Sequence, residues 1–240
     1  MTAKQMTKKS VVTQKAKARK ETPLLSTQSM EAVLSTLANT YGTHPMDELT
    51  RQNPYKVLIA CILSLRTKDE TMIPASERLF AIADTPQAML KLKPEMIRKL
   101  IFPVGFYKTK ADTILEISRR LLDEYHGIVP DTIDELLTFK GVGRKTANLV
   151  VGLGYRLPAI CVDTHVHRIS NRLGYLVSKT PEQTETLLRE KLPEPYWHII
   201  NKVLVLHGQQ ICKPIGARCD ICPVDKTCMK IDVRARKALS

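Results

Sequence analysis

Lys145 is the residue whose type and position most favour covalent chemistry. It stands two residues past Gly143 in the stretch 137–155, LTFKGVGRKTANLVVGLGY. A lysine amine that has lost its proton can attack an electrophilic carbon and stay attached as a Schiff base. Gly141 and Gly143 bracket Val142, a spacing that lets the backbone take positive φ or lie flat against another backbone. A helical pattern through Ala147, Leu149, Val150 and Leu153 follows, so free amides at the turn can bind a phosphate without reading a base. Asp163, in Val162-Asp163-Thr164-His165, supplies a carboxylate ahead of another helical pattern. Read by itself, an aspartate there caps the helix for about 1 kcal/mol.

Cys212, Cys219, Cys222 and Cys228 lie within 17 residues at C-x6-C-x2-C-x5-C spacing. Four thiolates in a short loop can surround one tetrahedral zinc or one cubane iron–sulfur cluster, and the spacing excludes neither. Two disulfides would imply an oxidising compartment. No export signal is present, and Cys61 and Cys161 remain over as free thiols, so the four are read as metal ligands.

Together these motifs resemble the endonuclease III family of helix-hairpin-helix DNA glycosylases. The resemblance implies that Lys145 is the nucleophile and Asp163 its catalytic partner, and that the hairpin residues Lys140, Gly141, Val142, Gly143 and Arg144 grip the backbone of damaged double-stranded DNA. It implies that Arg66 and Phe106, with Tyr107 beside it, fill the gap left when a nucleotide is rotated out of the duplex. It also implies a [4Fe–4S] cluster on the four cysteines. The cysteine loop itself carries Lys213 and Arg218, which read as a phosphate-binding face, and His165 reads as a hydrogen-bonded support at the DNA site. The expected activity is excision of oxidised pyrimidines with abasic-site lyase cleavage by β-elimination. A mismatch or adenine-specific monofunctional glycosylase is the alternative within the family, and a non-catalytic DNA-binding module the alternative outside it. Two positions depart from the usual pattern: Lys140 stands where proline is common, and Arg66 where glutamine is usual.

The elements that must position these groups read as helices. Apolar stripes mark helices over 27–40, 54–65, 70–83, 85–91, 94–101 and 108–125, and again from 163 to 173, 181 to 191 and 196 to 210. The hairpin's first helix carries Ile133, Leu136 and Leu137 behind Pro130 and Asp131 as start residues. Nothing alternates apolar with polar for long enough to build a sheet, so the fold is expected to be all-α. The resemblance divides it into an N-terminal helix at 24–46, a six-helix domain at 47–157 holding the hairpin, and a cluster domain completed by 158–240. The net charge of +13 points to a polyanion. Residues 1–20 supply seven of those charges with no acid, so residues 1–23 read as a disordered basic arm. The chain lacks a membrane anchor, and a cytoplasmic, nucleoid-associated monomer is expected.

Overall fold

The computed structural model describes residues 24–42, 45–50 and 53–233. Among these the secondary structure is helical, with no β-strand, and no helix is long and apolar enough to cross a membrane. The arm expected at residues 1–23 lies outside the described residues.

Helix α1 (Thr27–Tyr41) starts at Ser26, whose hydroxyl accepts the Ser29 amide, and buries the expected stripe Met30, Val33, Leu34 and Leu37. Helix α2 (Pro45–Thr50) lies between the first two helices expected from the sequence, where no stripe marks one. Pro45 sits at its first turn with Asp47 and Glu48, which suit the positive end of a helix. In α3 (Pro54–Ser64) every side chain from Val57 to Leu63 is buried, so the helix has no solvent face and must be surrounded. Around it stand α4 (Asp69–Phe80), α5 (Pro86–Leu90), α6 (Pro94–Ile101) and α7 (Tyr107–Tyr125).

The hairpin's first helix, α8 (Ile133–Leu137), begins later than expected. Its cap is Thr132, not Pro130 or Asp131, because the Thr132 hydroxyl accepts the Glu135 amide and donates to the Glu135 carboxylate. The second, α9 (Arg144–Leu149), is not one regular helix to its end; it opens into a π turn at Val150–Gly154. This segment lies directly on the start of α3, since a Cβ on Gly154 would fall 2.8 Å from Pro54 Cα. Helices α10 (Thr164–Leu173), α11 (Pro181–Lys191) and α12 (Trp197–Gln210) complete the chain before the cysteine loop.

The buried apolar side chains form two separate cores. One runs from Met46 to Ala159 around α3. The other combines Leu25–Leu37 at the start of the chain with Ile160–Val224, and α1 packs on α12, which packs on α10. Ion pairing of Lys202 with Asp47 at 3.3 Å and a hydrogen bond from Gln209 to Asp69 at 3.2 Å join the two halves.

Candidate active site

A cleft of about 600 Å³ opens where the two cores meet, lined from one side by Ser64, Lys145 and Gly152 and from the other by Asp163, His165 and Asn201. Lys145 reaches it from the first turn of α9. The hairpin places that turn: Gly141 holds φ +79°, a conformation costly for any residue with a Cβ, while Val142 is buried and its amide bonds the Phe139 carbonyl at 3.1 Å. Val142 therefore anchors the hairpin in the core, and the exposed hairpin residues are Lys140, Gly141, Gly143 and Arg144.

Asp163 reaches the cleft from the other half, as the cap of α10. Its Oδ1 accepts the amides of His165 and Val166, both at 2.9 Å. Its Oδ2 lies 3.8 Å from Lys145 Nζ. The two readings of Asp163 are thus one geometry: a carboxylate fixed through one oxygen presents the other to the amine. It is 9% exposed against 51% for the lysine side chain, so the anion is held in place while the amine stays accessible.

The cations near Lys145 in the chain have partners of their own. Arg144 makes a two-point pair with buried Glu185, Nε to Oε2 at 2.9 Å and Nη2 to Oε1 at 3.1 Å, and Lys140 pairs with Glu116 at 3.2 Å. Glu185 also accepts from Arg189, whose Nη2 donates to Asn148 on the α9 side, binding α11 to the hairpin helix. Glu185 escaped the sequence reading, although it stands in register with Leu188 and Leu192, where a charged residue must have a partner. His165 lies in the cleft, its Nδ1 accepting from Arg168 at 3.1 Å, which leaves the proton on Nε2. Burial holds its imidazole below the usual histidine range against the pull of Asp163, with Arg168 and Lys145 adding to the depression. His167 is turned away, bonded to Thr184 at 2.6 Å. Cys161 lies beneath Lys145, its Sγ 3.8 Å from the Lys145 carbonyl, and burial pushes both its thiol and that of Cys61 upward, the latter to about 12. These two are inert core residues.

Arg66 and Phe106 stand together at the tips of two loops. Both are exposed, both hold left-handed backbone at φ +52° and +57°, and the guanidinium lies 5.8 Å from the centre of the phenyl ring. Tyr107 is not at the tip; it is partly buried and packs edge-on against Phe102, ring centres 5.4 Å apart. Lys213 and Arg218 are exposed on the cysteine loop and do not line the cleft.

All four cysteines of the loop line one small cavity. Among the described residues no group of three or more potential ligands is gathered as if around one ion. N–H groups face two of the sulfurs, Arg172 Nη1 at 3.4 Å from Cys212 and the Lys230 amide at 3.4 Å from Cys228, and His207 Nε2 lies 3.8 Å from Cys222. Burial first, then the adjoining sulfurs, raises the Cys222 thiol to about 11. Sulfurs in such a setting become thiolates only against a cation, and the donors around them suit thiolate charge, so the residues fit a cluster bound by all four. His207 is itself held by Tyr41 of α1 at 2.7 Å.

Comparison with known proteins places this geometry in context. The family model for the HhH-GPD superfamily of base excision DNA repair proteins matches residues 59–194. Endonuclease III of Thermotoga maritima is 49% identical over 176 residues, covering 73% of this chain and 83% of its own. Endonuclease III of Escherichia coli strain K12 is 36% identical over 193 residues, 79% of this chain and 92% of its own. Among solved structures, a non-covalent endonuclease III–DNA complex superposes with a TM-score of 0.76 at 33% identity, over 86% of this chain and 97% of that one. A trapped covalent endonuclease III–DNA intermediate gives 0.73 at 32% identity, with the same coverages.

Proposed function

The chain belongs to the endonuclease III family of the HhH-GPD superfamily of base excision DNA repair proteins, and from that membership we propose that it excises oxidised pyrimidines from duplex DNA and cleaves the resulting abasic site, with Lys145 as nucleophile and Asp163 as its partner. The observation that carries the assignment of residues is the approach of Lys145 Nζ to within 3.8 Å of a carboxylate oxygen whose sister oxygen is pinned by two amides. As the bond from C1′ to the base breaks, its electron pair leaves with the base, and the sugar gains positive charge that Asp163 Oδ2 stabilises. The neutral amine bonds to C1′ and gives up one proton, and the C1′–O4′ bond of the sugar then breaks, its electron pair and a proton going to O4′, so that a protonated Schiff base is left. Loss of a C2′ proton then expels the 3′ phosphate, and the strand is cut.

The hairpin at Gly141, Gly143 and Arg144 holds a backbone phosphate near that amine, and this fixed distance supplies much of the rate. Arg66 and Phe106 form the wedge that enters the duplex in place of the extruded nucleotide. Cys212, Cys219, Cys222 and Cys228 hold a [4Fe–4S] cluster, which when bound ties down the loop bearing Lys213 and Arg218 so that they can meet DNA phosphates.

Borohydride trapping on lesion-containing duplex, followed by peptide mapping, tests the assignment. Lys145→Gln is expected to bind damaged duplex, lose the cross-link, and lose excision and cleavage by orders of magnitude. A cross-link that maps to Lys140, or that persists undiminished in the variant, moves the nucleophile elsewhere.

A further inference from the structure

We infer that Lys110 is a positioning residue that locks the loops of Arg66 and Phe106 into a single rigid wedge, acting through the hydroxyl of Thr67. The inference rests on the wedge reading given above. Lys110 lies in the first turn of α7 and is 6% exposed. Its Nζ donates to Leu63 O at 2.8 Å, Leu65 O at 2.6 Å and Thr67 Oγ1 at 3.2 Å, which uses all three ammonium hydrogens. The two carbonyls belong to the end of α3, where unpaired oxygens and the negative pole of the helix favour a cation.

The Thr67 hydroxyl is equally committed. It accepts from Lys110 and from the Gly105 amide at 3.2 Å, and donates to Leu65 O at 3.3 Å, so its hydrogen and both lone pairs are used. Gly105 precedes Phe106, and the Phe106 carbonyl accepts the Lys110 amide at 3.0 Å. The bonds therefore close a ring that runs from the end of α3 through Thr67 and Gly105 to the start of α7 and back through the lysine side chain. Arg66 and Phe106 flank that ring, each in a left-handed conformation that persists only where its surroundings fix it. Lys110 does not line the cleft and has no part at C1′, whereas Thr67 reaches the cleft wall, so Lys110→Met is the cleaner of the two variants below. Its effect is confined to the step that separates stacked bases.

The test compares Lys110→Met and Thr67→Val with the unchanged enzyme on two substrates. One is duplex DNA with a lesion and a neighbouring 2-aminopurine; the other is an abasic site in a single-stranded oligonucleotide, where no stack has to be opened. Both variants are expected to lose tenfold or more in single-turnover excision from duplex and to give a smaller 2-aminopurine signal, while cutting the single strand within twofold of the unchanged enzyme. Lys110→Arg, which keeps the cation, is expected to recover part of the duplex rate. Equal losses on both substrates, or no loss on duplex, overturn the clamp. Thr67→Val keeps the test open if Lys110→Met does not fold. Phe106→Ala with undiminished duplex excision overturns the wedge reading itself and the clamp with it. A Phe106→Ala defect that neither Lys110→Met nor Thr67→Val reproduces overturns the clamp alone.

Discussion

Asp163 performs two tasks through its two oxygens, and they can be separated. Asparagine caps a helix as well as aspartate does, because one acceptor oxygen suffices. Asp163→Asn is therefore expected to leave the denaturation midpoint almost unchanged while lowering base excision roughly a hundredfold or more, since the charge facing Lys145 is gone. Asp163→Ala should lose the same activity and about 1 kcal/mol of stability besides; urea denaturation alongside excision rates separates the two. Lys110 offers a second measurement at this scale. Burial lowers its pKa from 10.5 to about 8, so the folded chain binds this proton less tightly than the unfolded chain. The stability associated with it is full above pH 10.5 and is lost as pH falls through 8. Measured against Lys110→Met, which has no proton to bind, the unchanged protein should gain relative stability from pH 7.5 to pH 10. A flat or falling difference in denaturant titrations would contradict that.

At the scale of elements, α10 joins the two chemistries. Asp163 caps its start, and Arg172 near its end donates to Cys212 Sγ, Lys213 O at 2.7 Å and Pro214 O at 2.8 Å. Hydrogen bonds of this kind to a metal site are worth roughly ten- to hundred-fold in metal affinity. The purified protein is expected to be yellow-brown with about four irons per chain, and Arg172→Met to release iron to a chelator roughly ten times faster. Zinc without iron, in protein made with ample iron under anaerobic conditions, would defeat the cluster. Much of this was legible in the sequence, because apolar stripes in α1, α3, α7 and α12 follow the helical period and four cysteines in 17 residues have few other uses. What escaped were features set by tertiary contact. The short α2 has too few turns to show a period. The π turn answers the packing of Gly154 on Pro54. Lys110 carries no motif, yet it falls on the buried face with Ile114, Ile117 and Leu121, and that register was the available signal.

For the whole molecule, charge and the division into two cores matter most. Seven of the thirteen net positive charges come from residues 1–20. If all seven meet phosphate, deleting them should lower the slope of log affinity for undamaged duplex against log salt by up to about six. Excision at saturating DNA should be retained, and its collapse with the fold intact would make the arm part of the active structure. The second core is assembled from both ends of the chain, with α1 resting on α12. A ribosome makes the chain in one direction, at roughly 5–20 residues per second. The stripe Met30, Val33, Leu34 and Leu37 thus emerges ahead of its partners Ile200, Val203 and Leu204, by a wait on the order of ten seconds. During that wait the core around α3 has all its residues and can close, while α1 lacks the surface on which its apolar stripe packs. Translation stopped between Ala159 and α12 would release the core that holds the hairpin with no cysteine loop and with α1 lacking its partner helix.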